Sequence, residues 1–275
     1  MTPARFEHEA MATTFEIFID GHDPAYARQA AAAAFRELDR LESELSRYIE
    51  SSDIARANRL ASGESITIGE DALHCLLVAG EVSAATQRTF DPAYASQPSP
   101  DTAPDAPLYS LDPAAHTLTS HAARLHLDLG AVGKGYALDR LAATLREWDI
   151  ASALLQSGGS TALALAAPAG QTGWSVGLGE NESYRTFPLA HAALSGSGIA
   201  VKGEHLVDPR TGRPTARRQR VWALAANAAV SDALSTAFFI MTDAHISAFC
   251  SAYPETGAAI QLPNGDLACH GTLDR

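Results

Sequence analysis

The chain has 275 residues, 46% hydrophobic and 19% charged, the balance of a folded globular protein rather than a disordered one. Its net charge is −12, and no Lys/Arg cluster supplies the concentrated basic surface that gripping nucleic acid requires. A phosphate ligand would therefore need local help from backbone N–H groups, a cation or a lysine.

Cys75, Cys250 and Cys269 are odd in number and widely spaced, which fits neither a disulfide framework nor a zinc site and reads as ordinary buried or half-buried thiols. The N-terminus lacks the apolar run of a signal peptide, so the chain as written reads as cytoplasmic, with an exported form possible if a leader was removed. The most apolar stretch, Val221 to Met241, is interrupted by Asn227, Ser231 and Asp232 and makes a poor membrane span. The densest basic run, Arg213 to Arg220, reads as a solvated turn.

In chain order, Thr14 to Asp20 alternates Phe15, Ile17 and Ile19 against polar residues and predicts a half-buried strand. Pro24 to Ile49 predicts a long helix, with Phe35, Leu38, Leu41, Leu45 and Tyr48 at three- and four-residue steps behind an Asp23-Pro24 start. A second helix is expected over Ala72–Gln87, then a proline-rich loop over Asp91–Pro113. Leu125–Leu129 alternates as a strand, Gly130–Gly135 is a glycine-punctuated turn, and a helix runs from Tyr136 to Trp148. Short strands follow at Ser152–Gln156, Thr161–Leu165, Trp174–Leu178 and Val221–Ala225, several separated by Gly/Ser clusters at 157–160 and 195–198. One last helix over Ser231–Ala252 and a strand near Ala258–Leu262 complete an α+β pattern.

Four segments carry polar groups that a core would not want. In Asp128-Leu129-Gly130-Ala131-Val132-Gly133-Lys134, a carboxylate and a glycine turn lead into a helix with lysine at its start, exposing N–H groups and positive charge to a ligand. It is not a Walker A loop, and a tight turn with a surface lysine explains it equally well. Asp232 and Thr236, four apart on one helix face, offer an oxygen pair suited to Mg²⁺; a helix cap plus a packing residue is the structural alternative. His205, ahead of the Asp208-Pro209-Arg210-Thr211-Gly212 turn, is a candidate general base or a structural histidine. Phe90-Asp91-Pro92 and Tyr48 offer aromatic faces for a planar ring or for the core.

Taken together in order, Met11-Ala12-Thr13, Leu45-Ser46-Arg47-Tyr48 with Ser52-Asp53-Ile54 and Asn58, Phe90-Asp91-Pro92, the Asp128–Lys134 turn, Ser157-Gly158-Gly159, Ser195–Gly198, His205–Pro214 and the Asp232/Thr236 pair resemble the ApbE family of FAD:protein FMN transferases. The resemblance spans nearly the whole chain. It implies a single domain over residues 1–275 with an α+β, T-fold-like architecture, mixed or antiparallel sheets and long helices, holding FAD between its lobes. It also implies that Met11, Tyr48, Thr89, Phe90, Asp91, Asp128 and Lys134 contact FAD, that Ala131, Asp232 and Thr236 hold Mg²⁺, and that His205 is the base. The implied reaction attaches FMN through a phosphoester to a Ser or Thr in a small-residue motif of an acceptor flavoprotein, releasing AMP. Cleavage of FAD to FMN and AMP by water, or non-catalytic FAD binding, are the alternatives. The chain departs from the family's usual pattern at Ala12, where glycine is usual, at Ser160, where aspartate is frequent, and at Ala93-Tyr94, where Thr-Val is typical.

Overall fold

The computed structural model describes residues 2–100, 103, 106–179, 184–198, 207–215 and 218–274. Its first half comprises strands β1 (Ala4–Ala10) and β2 (Thr13–Ile19), helices α1 (Pro24–Leu45) and α2 (Asp53–Ala57), β3 (Ser65–Thr67) and α3 (Glu70–Ala85). Short strands β4 (Gln97–Pro98), β5 (Tyr109–Asp112), β6 (Thr117–Ser120) and β7 (Ala122–Arg124) lead to α4 (Gly133–Glu147). Then follow β8 (Ala153–Ser157), β9 (Thr161–Ala164), β10 (Trp174–Leu178), β11 (Arg185–Leu189), β12 (Ala192–Gly198), β13 (Val207–Asp208), β14 (Arg213–Pro214) and β15 (Arg220–Ala225). Helices α5 (Ala228–Ile240) and α6 (Asp243–Ala252) precede β16 (Gly257–Gln261) and β17 (Leu267–Gly271).

The organising element is an eight-stranded sheet in the order β1-β2-β8-β9-β12-β15-β16-β17, in which every neighbouring pair is antiparallel. Alternation sorts its side chains onto two faces. One face, with Phe15, Ile17, Leu155, Leu163, Val221 and Ile260, packs under the helices in the larger core. The other, with Leu154, Ala162, Leu194, Trp222 and Leu224, is covered by the β10–β11 hairpin through Trp174, Val176, Leu178 and Leu189. The α+β expectation with antiparallel sheets and long helices is what the chain builds.

Helix α4 is held from several sides. Buried Asp71 of α3 accepts from the Tyr136 hydroxyl at 2.7 Å and pairs with Arg40 of α1 and Arg140 of α4. At the start of α1, the Asp23 carboxylate accepts the Ala25 and Tyr26 N–H groups, as the Asp-Pro start predicts.

Several expectations need correction. Helix α1 stops at Leu45 rather than Ile49, because Ser46 turns extended and 47–49 form a turn. Leu125–Leu129 is not a strand: its backbone bonds go to the Ser96 hydroxyl, the Asn58 side chain and the Pro92 carbonyl instead of to a ladder. The expected Ser231–Ala252 helix is two, broken at Met241 and restarted where the Thr242 hydroxyl caps the His245 N–H. The Asp91–Pro113 loop contains β4 and all of β5, and Ser195–Gly198 lies within central strand β12 rather than between strands. Arg218, in the basic run read as solvated, is only 8% exposed and donates to the Phe239 and Met241 carbonyls at the end of α5 and to Asp243. The three cysteines are free, and burial pushes the Cys75 thiol upward, as for an inert core residue. Val221–Met241 is most of β15 plus all of α5, and among the described residues no helix is long and apolar enough to cross a membrane.

Candidate functional site

The site lies where α4 and α5 start above the centre of the sheet. Asp128 forms the turn before α4 by accepting the Gly130 N–H on Oδ1 at 2.9 Å, and its own N–H donates to the Pro92 carbonyl at 2.8 Å. The turn delivers Lys134 to the first residues of α4, where Nζ donates to the Gly130 carbonyl at 2.7 Å. From there Nζ reaches Asp232 Oδ2 at 3.7 Å, bringing together two residues 98 positions apart.

Asp232 is 6% exposed and has three partners, one of them Lys134. The Gly135 N–H donates to Oδ2 at 3.2 Å, and the Thr161 hydroxyl lies 3.5 Å from Oδ1. These are long contacts, so the carboxylate is oriented without having its lone pairs saturated. Thr236 sits one turn further along α5, half-buried, and the neighbouring Ser235 hydroxyl meets Ser197 of β12 at 2.8 Å. Beneath α5, Ser157, Thr161 and Ser195 occupy one cross-strand row. Among the described residues the fully buried Ser157 and Ser195 hydroxyls meet no hydrogen-bond partner, so polar capacity collects beside Asp232.

Among the described residues no cluster of three or more His, Cys, Asp or Glu exists to hold a metal. A cation here would rest on one carboxylate, neutral oxygens and the ligand's own phosphates. That donor set suits Mg²⁺, which recruits substrate oxygens, and does not suit zinc. The lightly held Asp232 and the adjacent Thr236 fit such an ion; half-buried Ala131 stands in the turn just before α4.

The remaining predicted residues separate into two groups. Tyr48 is 79% exposed, its ring lies 4.6 Å beneath the Arg47 guanidinium, and Arg47 also reaches Asp128 at 3.6 Å. Tyr94 joins this cluster: burial, then the nearby Asp128 charge, pushes its hydroxyl pKa up, yet its side chain is 42% exposed. Two tyrosines thus frame the Arg47–Asp128 pair, a setting for a planar ring. Thr89, Phe90 and Asp91 instead turn inward. Thr89 bonds the Thr86 carbonyl, Phe90 is in the core, and Asp91 is spent on Arg88 and the Ala93 N–H. Their segment supplies the Pro92 carbonyl that seats Asp128. Met11 occupies the β1–β2 turn with φ of 50°, its N–H bonded to Glu42. That turn adjoins the 157–159 loop, where the Gly158 N–H donates to the Thr14 carbonyl.

His205 lies outside the described residues. The Asp208–Gly212 turn after it closes with Gly212 N–H on the Asp208 carbonyl at 2.8 Å, as its sequence predicts. Sequence reasoning missed Gly135, Thr161 and Tyr94. Only Tyr94 carried a signal, an aromatic just after an Asp-Pro turn.

Comparison with known proteins agrees with this architecture. The chain is 27% identical over 184 residues to the FAD:protein FMN transferase of Treponema pallidum, covering 59% of this chain and 51% of that protein. It is 26% identical over 264 residues to the one from Rhodobacter capsulatus, covering 83% and 49%. The chain thus spans about half the length of these curated relatives. Its fold matches the flavin transferase ApbE from Vibrio cholerae with TM-score 0.83 at 18% identity, over 99% of both chains. The ApbE protein from Thermotoga maritima matches with TM-score 0.82 at 21% identity, over 99% of this chain and 98% of that one. The ApbE family model matches residues 11–260, and with most of its length accounted for in this way, the chain belongs to the ApbE family.

Proposed function

We propose that the chain is a Mg²⁺-dependent FAD:protein FMN transferase, acting as one unit that holds FAD between its parts. The observation that carries this reading is the convergence of Lys134 and Asp232 at the start of α4, beside a buried row of hydroxyls. Positive charge, helix N–H groups and an available carboxylate oxygen are what a pyrophosphate with its counter-ion requires.

Phosphoryl transfer depends mainly on positioning and charge neutralisation. Asp232, Thr236 and an oxygen at Ala131 would hold Mg²⁺, which when bound neutralises pyrophosphate charge. Lys134 opposes further negative charge, and Tyr48 with Tyr94 offers faces for a ring of the dinucleotide. His205 accepts the proton from the acceptor's Ser or Thr hydroxyl. The hydroxyl oxygen forms a bond to the FMN-side phosphorus, the pyrophosphate P–O bond breaks, and AMP leaves.

The test is incubation with FAD, MgCl₂ and a peptide carrying Ser or Thr among small residues, read by mass spectrometry. An FMN–peptide adduct with AMP is expected. FMN and AMP without adduct would reassign the site to hydrolysis, and unchanged FAD would reduce it to binding. Asp232→Asn should remove Mg²⁺-dependent turnover in a folded protein, and His205→Ala should slow transfer by roughly 10²–10⁴-fold.

A further inference from the structure

Asp139 lies one helical turn after Gly135 on α4, and the two share a face directed at α5. Its carboxylate accepts two backbone N–H groups from the first turn of α5, Ala228 on Oδ1 at 2.8 Å and Ala229 on Oδ2 at 2.9 Å. Helix α5 has its own cap, since the Asn227 side chain accepts the Val230 N–H at 2.9 Å, but its first turn contains no acidic residue. The charge facing the positive end of α5 therefore comes from a different helix.

The two contacts form two rungs. Asp139 grips Ala228 and Ala229, while Gly135 grips Asp232, four residues beyond Ala228. A shift of α5 along its axis against α4 strains both rungs at once. An open cleft of about 310 Å³ adjoins Asp139, lined by Val78, Tyr136, Arg146, Leu163 and Asn227 among others.

From this geometry we infer that Asp139 is a positioning residue, one that sets the register of α5 against α4 and so places Asp232 relative to Lys134. The inference rests on the Mg²⁺ reading of Asp232. A carboxylate is a costly way to cap a helix here, because burial opposes its ionisation and the two N–H bonds only partly compensate. A simple cap could have been supplied by a neutral side chain, as Asn227 already shows one position earlier. What the charged group adds is a two-pronged link between the helices bearing Lys134 and Asp232.

The experiment uses the whole chain at pH 7.5 with saturating FAD, titrating MgCl₂ and following melting temperature and flavin fluorescence. Asp139→Asn keeps the side-chain volume but can accept only one of the two bonds. Its half-saturating Mg²⁺ concentration should rise about tenfold or more, while its melting temperature without Mg²⁺ stays within a few degrees of the parent. Asn227→Ala, which removes only the local cap, should lower the melting temperature and leave the Mg²⁺ half-saturation within about twofold. A folded Asp139→Asn protein with unshifted Mg²⁺ half-saturation would overturn the assignment, as would an equal shift in Asn227→Ala. If Asp139→Asn does not fold, Asp139→Ser is read in the same way. A parent protein with no Mg²⁺ response in the presence of FAD would overturn the metal reading and this inference together, an outcome distinct from a normal parent response with an unshifted variant.

Discussion

The Gly135 N–H donates to Asp232 Oδ2 because the Gly135 Cα lies almost in contact with the α5 backbone. A Cβ built at Gly135 would stand 2.1 Å from the Ala228 carbonyl oxygen and 2.9 Å from the Ala229 Cα. Neither neighbour is a flexible side chain, so the helices would have to separate. Gly135→Ala is expected to cost about 1–3 kcal/mol, the usual range for overpacking, and to weaken the hold on Asp232. Denaturant unfolding and the FMN transfer rate should both decline; full activity at unchanged stability would show that the helices can part without consequence.

Asp139 makes stability depend on pH in an unusual direction. Burial raises its pKa from the ordinary 3.8 to about 6, against the opposing pull of the Ala228 and Ala229 N–H groups and of Arg146 on its own helix; the Asp232 charge on α5 adds to the rise. The folded protein therefore keeps a proton that the unfolded chain has released. The associated stability is present in full below about pH 4 and is lost as pH rises through about 6. The loss is at most about 3 kcal/mol, and less to the extent that water in the adjoining cavity screens the charge. Unfolding free energies of the parent and Asp139→Asn, compared from pH 4 to 7, should diverge in this sense. Parallel curves would mean that Asp139 titrates like a solvated carboxylate.

The β1–β2 hairpin turns on Met11 and Ala12 with φ of 50° and 58°. Both central residues are left-handed, the geometry of a tight hairpin turn that favours glycine. Ala12→Gly removes the Cβ strain but loosens the unfolded chain, leaving a net gain of about 0.5–1 kcal/mol. Calorimetry should record a rise of about 1–4 °C. A lower melting temperature would show that the Ala12 methyl contributes more through packing than it costs in strain.

Arg218 is a buried cation. With its guanidinium on the carbonyls of Phe239 and Met241, it closes the C-terminal end of α5. Arg218→Ala leaves these acceptors without their partner and is expected to cost about 1–3 kcal/mol. FAD affinity should remain close to normal, because the residue acts at the far end of α5 from Asp232. Titration calorimetry together with thermal melts separates the two effects.

Local patterns in the sequence were enough where the chain's own periodicity decides structure. Strand β2 follows from Phe15, Ile17 and Ile19, and α1 from its leucine spacing and Asp-Pro start. The shared face of Asp232 and Thr236 follows from a separation of four. Elements bonded to side chains remote in sequence were misread. Leu125–Leu129 alternates like a strand, but Asn58 and Ser96 take its hydrogen bonds. Strand β1 was missed because it is a sheet edge of alternating charged residues, and Arg218 was misread because only tertiary structure reveals the α5 carbonyls beside it. The site behaves likewise. Lys134 and Asp232 were visible as residue types, whereas Gly135, Thr161 and Asp139 act through partners some 70 to 100 positions away.

The sheet also dictates when this protein can finish folding. Strand β2 finds its second partner only in β8, so residues 13–19 wait for residues 153–157. Until then the hairpin of β1 and β2 presents an open inner edge with Phe15, Ile17 and Ile19 on one face. The closure joining both halves of the sheet is a long-range pairing, the kind of contact that slows folding. A nascent chain stalled before Ser157 would expose an apolar strand edge in want of a partner. That interval makes this chain most dependent on protection from aggregation.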